Sequence, residues 1–328
     1  MQTLYAAKNR LFPRVRRWAA AVAAIVSAAA LCACDPPRIE GRAEAERRLN
    51  PCEQALYTAL DADRTIATAK PVMLAHTELT ISRDAWLDVA VYCPSRFGEG
   101  VTHAARAQVR AEAVYGADAV DAGWSVNGVA TLDPDADADA LDGLVDLSAA
   151  ALTEDKAGFA FEVLAARGAP GATLELSDRS KSAAQKLAAM SGDDSRQAVY
   201  AVGNLIDNPD TALDGATGLK APTASVVLMD CARSLVGAVA EGTELPTGAD
   251  AESAQSGDVG MTRTDGASGT QRNGSDGTPA GGTDADRTVE RAWRAYAVQA
   301  ANHTAQAFRL GYPMIDEALF EAEDTAKD

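Results

Sequence analysis

Apolar residues recur every three or four positions through most of this chain, the spacing that gives an α-helix one buried stripe. Asn50, Pro51 and Glu53 supply a capping side chain, a proline suited to the first helical position and a glutamate three after the cap. A helix is expected from there to about residue 69, with Ala55, Leu56, Ala59 and Leu60 on one face. A second begins near Ser82, turns Trp86, Val89 and Ala90 inward, and stops at Cys93-Pro94, because the residue before proline is pushed out of helical conformation. Glycines make 97–100 a loop, and helix resumes over 102–115 with Ala105, Val109 and Ala113 on its inner side. The strongest period runs over 140–167, through Leu141, Leu144, Val145, Ser148, Leu152, Phe159, Val163 and Ala166, and ends at Gly168 and Pro170. Further helices are expected from a Ser177 cap to about 190, over 194–206, and from Pro222 through Val226, Val227, Met229, Cys231, Leu235 and Val239, with a loop at 209–218. A last long helix carries Val289, Trp293, Tyr296, Ala300, Ala307 and Phe308 inward, is broken by Gly311-Tyr312-Pro313, and is followed by a short one over 314–323.

Three stretches break this pattern. Residues 34–49 are charged and aperiodic, which suits a tether; 116–142 is irregular, with Trp124 set either in a tight turn between short strands or in an ordered loop. Residues 243–285 are Gly, Ser, Thr, Asp and Ala with almost no large apolar side chain, so burial cannot offset their ordering entropy. Amphipathic helix resumes straight after them, which makes them a disordered insertion within a domain whose flanking helices pack together. The layout is therefore a leader at 1–33, a tether at 34–49, an N-terminal helical region at 50–120, an acidic loop at 121–139, a helical bundle at 140–242 and 286–328, and the insertion between its parts. The fold class is all-α, an antiparallel helical bundle.

The leader has its own logic. Lys8, Arg10, Arg14, Arg16 and Arg17 form a positive start without acidic residues, and 18–31 is an alanine-rich apolar run too short to span a bilayer comfortably. An export signal accounts for it better than an uncleaved anchor helix, since small residues precede Cys34 and the polar Asp35-Pro36-Pro37 follows. Leu31, Cys32, Ala33 and Cys34 resemble the lipobox of bacterial lipoproteins, and the resemblance implies cleavage before Cys34, diacylglycerol on its thiol and acylation of the new amino group. A membrane partner is then engaged through lipid: each buried methylene contributes about 0.8 kcal/mol, and two or three chains hold where one would not. Arg16-Arg17 suggests a twin-arginine route, but the general export route is the preferred reading because the usual continuation is lacking.

Charge sharpens the picture. The chain carries 30 Lys+Arg against 47 Asp+Glu, a net of −17 that becomes −22 once the leader is removed. Such a body repels nucleic acid and anionic headgroups. Hydrophobic residues make up 47% but aromatics only 5%, so the apolar content is mostly alanine, suited to thin, close helix seams. With Cys32 lost and Cys34 lipidated, Cys52, Cys93 and Cys231 remain for an oxidising compartment, with three possible pairings. Cys52–Cys93 is favoured, both being near predicted helix ends beside prolines, and Cys231 reads as a buried small hydrophobe.

Candidate chemistry is sparse. His76, His103 and His303 have neither a glutamate three residues before nor a second histidine four away, so no metal ligands and no cofactor are assigned. Asp133, Asp135, Asp137, Asp139 and Asp142 alternate like a calcium loop, but Ala140 stands where glycine is needed and Asp146 where glutamate is; acid before a helix N-terminus is the better account. There is no Gly-x-Ser-x-Gly elbow or glycine-rich phosphate loop. Glu154, Asp155 and Glu162 read as a solvated helical face, and Trp86, Trp124, Trp293 and Tyr296 as core before ligand groove.

The segments at 152–167, 177–190 and 291–308 resemble the ferritin-like helical lipoproteins of high-GC Gram-positive bacteria. That resemblance implies a four- or five-helix antiparallel bundle on a lipid tether, without an established activity. Its pattern has a glutamate on the first helix, matched nearest by Glu154, and a histidine on the second, where this chain has Ser180 or Lys181. Two functional classes follow: a non-catalytic envelope lipoprotein binding an unknown protein or small-molecule partner, or a metal-dependent or redox enzyme using convergent carboxylates.

Overall fold

A computed structural model describes residues 49–68, 72–116, 129–240, 242–243 and 284–314, with the side chains of 72–76, 115 and 130 excepted. The leader with Cys34, the tether up to residue 48, the Trp124 turn, residues 244–283 of the insertion and the expected terminal helix beyond Met314 lie outside the described residues. Helix dominates what remains, with one two-stranded sheet. Among the described residues no helix is long and apolar enough to cross a membrane.

Helix α1 (Pro51–Thr68) opens as its sequence dictates: Asn50 Oδ1 accepts from the Glu53 N–H at 2.8 Å, while Glu53 accepts from the Asn50 N–H at 3.1 Å. Helix α2 (Val72–Tyr92) starts ten residues before the expected Ser82 and ends at Cys93, whose sulfur is bonded to that of Cys52. A 3₁₀ turn (Pro94–Arg96) leads straight into α3 (Phe97–Tyr115), so the expected loop at 97–100 is instead the first turn of a helix. The glycine there serves packing: a Cβ on Gly100 would stand 2.5 Å from Ala90 N and 2.7 Å from Trp86 O, so only glycine lets α3 approach α2 this closely. Ala113, expected inside, is exposed near the end of α3.

The single long helix expected over 140–167 is two. Helix α4 (Pro134–Leu141) begins inside the stretch expected to be an acidic loop, capped by Asp133, which accepts from the Asp135 N–H at 3.0 Å. Gly143, with φ of +73°, breaks the run, and Asp146 restarts it by accepting from the Ala149 N–H, giving α5 (Leu147–Ala166). The buried stripe of α5 is also rotated from the one the large residues suggested. Ala150, Ala151, Glu154, Ala157, Gly158, Phe161 and Leu164 face the interior, whereas Leu152, Phe159 and Val163 are half-buried and Ala166 is exposed. Small residues face inward because α5 packs closely on α6 (Leu174–Ser191): a Cβ on Gly158 would meet Lys181 Cγ at 2.7 Å and Ser177 O at 3.1 Å. Thr173, not Ser177, caps α6; Ser177 is buried and donates to the Gly158 carbonyl at 2.8 Å.

The expected helix over 194–206 forms only at α7 (Gly203–Asp207). Local polar bonds hold the stretch before it in irregular form: Arg196 pairs with Asp194, and Tyr200 Oη accepts from the Gln197 N–H while donating to Asp155 at 2.6 Å. The expected loop at 209–218 contains β1 (Thr211–Leu213), which pairs antiparallel with β2 (Lys220–Pro222) and delivers the chain to α8 (Thr223–Gly237). The last helix, α9 (Asp284–Arg309), packs on α2, α3, α4 and α8. The segments flanking the insertion therefore meet as expected, with Tyr296 Oη donating to the Leu235 carbonyl at 2.6 Å. Trp86, Trp293 and Tyr296 are buried side chains of the core.

Candidate functional site

Helices α5, α8 and α9 converge on three buried groups of different chemistry: the Glu154 carboxyl, the Cys231 thiol and the His303 imidazole. Each stands on the inward face of its helix because its neighbours on that stripe are apolar. Glu154 is flanked by Ala150, Ala151, Ala157 and Gly158, Cys231 by Leu228, Ala232 and Leu235, and His303 by Ala300, Ala301 and Ala307. Gln299 lies one helical turn before His303 and shares its face.

Their polar atoms are close. His303 Nε2 is 2.7 Å from Glu154 Oε1, Gln299 Nε2 donates to the same oxygen at 2.6 Å, and Gln299 Nε2 is 3.2 Å from His303 Nε2. The Gln299 amide is oriented by its other end, since Oε1 accepts from the Val129 N–H at 3.4 Å. One donor atom from each of Glu154, Cys231 and His303 fits within 4.8 Å of the others. Glu154 has no solvent exposure, and its Oε2 accepts no hydrogen bond from the described residues, an uncommon state for a buried carboxyl oxygen.

Electrostatics follow from this burial. Desolvation pushes the Cys231 thiol well above the ordinary cysteine range, and the negative charges of Glu154 and Asp230 add to it. An activated cysteine nucleophile needs the reverse shift. Burial likewise holds the Tyr296 phenol well above its usual value, reinforced by Glu154. Carboxylate, thiolate and imidazole together are the donor types that bind borderline divalent cations.

A cleft of about 750 Å³ lies between α5, α8 and the segment from Gln197 to Gly215. Ala157, Ala160, Val226 and Val227 form apolar wall, Lys156, Tyr200 and Asp230 supply polar groups, and Cys231 also lines it. Its size is in the range of small-molecule sites.

The residues singled out in the sequence have different fates. Cys52 and Cys93 are joined, 5.0 Å apart at Cα, and Cys231 is free and buried. Asp133 and Asp137 are structural: Asp137 is buried, pairs with Arg291 and accepts from the Asp133 N–H at 2.9 Å. Glu154 is a buried group and not part of a solvated face, while Asp155 bonds Tyr200 and Glu162 pairs with Lys181. Ser180 is buried, and the histidine that meets Glu154 comes from α9 instead of α6. His103 stacks on Trp86 with ring centroids 4.1 Å apart. Sequence reasoning passed over the trio because its members are separated by more than seventy residues at each step, and a test for ligands three or four apart cannot see them. The available signal was a charged residue interrupting a stripe of alanine and glycine. Compared with family models, with curated proteins and with solved structures, the chain finds no match.

Proposed function

We propose that the protein is a lipid-anchored extracytoplasmic lipoprotein, non-catalytic, whose helices form an antiparallel bundle that binds a small-molecule ligand at the cell envelope. The observation that carries this reading is the Cys52–Cys93 bridge, which staples the start of the helical body to the end of α2. A structural disulfide there suits an oxidising compartment. It agrees with a leader that ends in Leu31, Cys32, Ala33 and Cys34. Attachment through acyl chains on Cys34 also suits a body whose net charge of −22 would otherwise be repelled by an anionic membrane. The cleft beside α5 and α8 is the candidate ligand site, offering apolar walls together with Lys156 and Asp230 of opposite charge.

Growth of expressing cells with labelled palmitate tests the anchor. Label enters the wild-type protein and is lost from Cys34→Ala; equal labelling of the two would refute lipid attachment at Cys34. A metal-binding role is the second reading, favoured by the donor set of Glu154, Cys231 and His303.

A further inference from the structure

We propose that Glu154, Cys231 and His303 form a buried site for one divalent zinc ion. The inference rests on the metal-binding reading above, whose donor set it shares, and is independent of the lipid anchor. Three observations lead to it.

The first is the unpartnered Oε2 of Glu154. Burying a carboxyl oxygen without a donor costs free energy, and the neighbouring groups on this stripe are alanine and glycine, which offer none. The carboxyl that carries it has an oxygen within 4.8 Å of a sulfur and an imidazole nitrogen, a grouping that a cation would satisfy.

The second is the crowding of two nitrogens onto Glu154 Oε1. Two heavy atoms 2.7 Å apart, one carboxyl oxygen and one ring nitrogen, need a proton between them. Gln299 Nε2 is a donor only, and the 3.4 Å contact from the Val129 N–H to its oxygen favours this orientation. When the shared proton sits on Nε2, both N–H groups converge on Oε1 and leave Oε2 with neither. A cation redistributes these contacts: Nε2 and the carboxylate turn their lone pairs to the ion, and Gln299 keeps its bond to Oε1 as an outer partner.

The third is charge. With one carboxylate, one thiolate and one neutral imidazole, a divalent ion leaves the interior neutral, and the thiol proton and the proton shared by Glu154 and His303 depart as it enters. Mixed sulfur, nitrogen and oxygen donors select zinc over calcium or magnesium, which require oxygen. Zinc ligand bonds of about 2.0–2.3 Å place ligand atoms roughly 3–4 Å apart, so Nε2 and Oε1 separate by some tenths of an ångström while the thiolate closes in. Cys231 lines the cleft, which supplies a route from solvent.

The experiment uses the whole chain carrying Cys32→Ser and Cys34→Ser and otherwise wild type, so that neither leader thiol binds the metal, stripped with chelator and titrated with cobalt(II), an optical stand-in for zinc. Wild type takes up cobalt with a thiolate-to-metal charge-transfer band in the near ultraviolet, and equimolar zinc abolishes the band. Cys231→Ser loses the band while keeping its helical circular dichroism, and Glu154→Gln and His303→Gln weaken uptake. A folded wild type without the band, or a band that persists in Cys231→Ser, would overturn the proposal. X-ray absorption of zinc-loaded wild type removes dependence on how the variants fold: a sulfur shell at about 2.3 Å with nitrogen and oxygen at about 2.0 Å is expected. A spectrum with only light scatterers would overturn it equally. Palmitate labelling is unaffected by either result.

Discussion

His303 Nε2 approaches Glu154 Oε1 to 2.7 Å across the interior, bringing together α9 and α5 at positions 149 residues apart in the chain. Both side chains are buried, so this contact is a polar junction inside an apolar core. Removing one partner of such a pair leaves the other unpaired, whereas removing both leaves only the Gln299 amide without its acceptor. In chelator, His303→Ala is expected to lower unfolding free energy by about 3–5 kcal/mol. The double variant Glu154→Leu with His303→Leu recovers much of that loss. Urea denaturation of the single and double variants measures the difference, and additive losses would show that the pair is not coupled.

Close packing of α3 on α2 depends on Gly100. Substitution by alanine normally favours a helix by about 1 kcal/mol. Here the new methyl group would meet the backbone of Ala90 and Trp86, which cannot swing aside as a side chain can. Gly100→Ala is expected to destabilise by roughly 1–3 kcal/mol, the usual cost of overpacking, despite its better helix propensity. A rise in melting temperature would contradict this.

The bond between Cys52 and Cys93 closes a loop with a sequence separation of 41. In the chain-entropy account a loop of that size stabilises by about 4 kcal/mol. Denaturation with and without reductant should show a loss of that order, and Cys52→Ser should match the reduced wild type. Identical midpoints under both conditions would mean that the bridge is not formed in solution.

Asp214 anchors the turn between β1 and β2 to the ends of α8 and α9. It has no solvent exposure, and burial alone would raise its carboxyl. Hydrogen bonds from Arg233, Tyr312 and Thr217 and from the Ala216 N–H outweigh burial and pull it down from 3.8 to about 2. A lowered acid contributes stability that is present above its unfolded value and fades as pH falls through its folded one. Tyr312→Phe should therefore cost roughly 1.5–3 kcal/mol at neutral pH, a difference that shrinks between about pH 4 and pH 2. Unfolding curves across that range check both the size and the direction.

Where the sequence carried a local signal, the structure follows it. The Asn50 and Glu53 capping pair and the inward face of α9 at Trp293, Tyr296 and Ala300 are each set by residues within a few turns or by strong apolar contrast, and the cysteine pairing by two helix ends beside prolines. Errors gathered where long-range packing overrode local preference. Gly98 and Gly100 look like loop residues, yet α3 needs Gly100 to touch α2. Leu152 and Phe159 look like core, yet the seam with α6 demands small residues and turns Ala157 and Gly158 inward. The stretch before α7 has helical residues but no apolar stripe to bury, and its side chains bond locally instead. The Glu154, Cys231 and His303 group depends on three helices packing in one arrangement, which periodicity on any one of them does not specify.

Mass spectrometry of the protein extracted from membranes of cells that make it tests lipid anchoring most directly. A mature chain beginning at Cys34 and carrying diacylglycerol is the predicted result. A chain that keeps its first thirty-three residues and bears no fatty acid would contradict it.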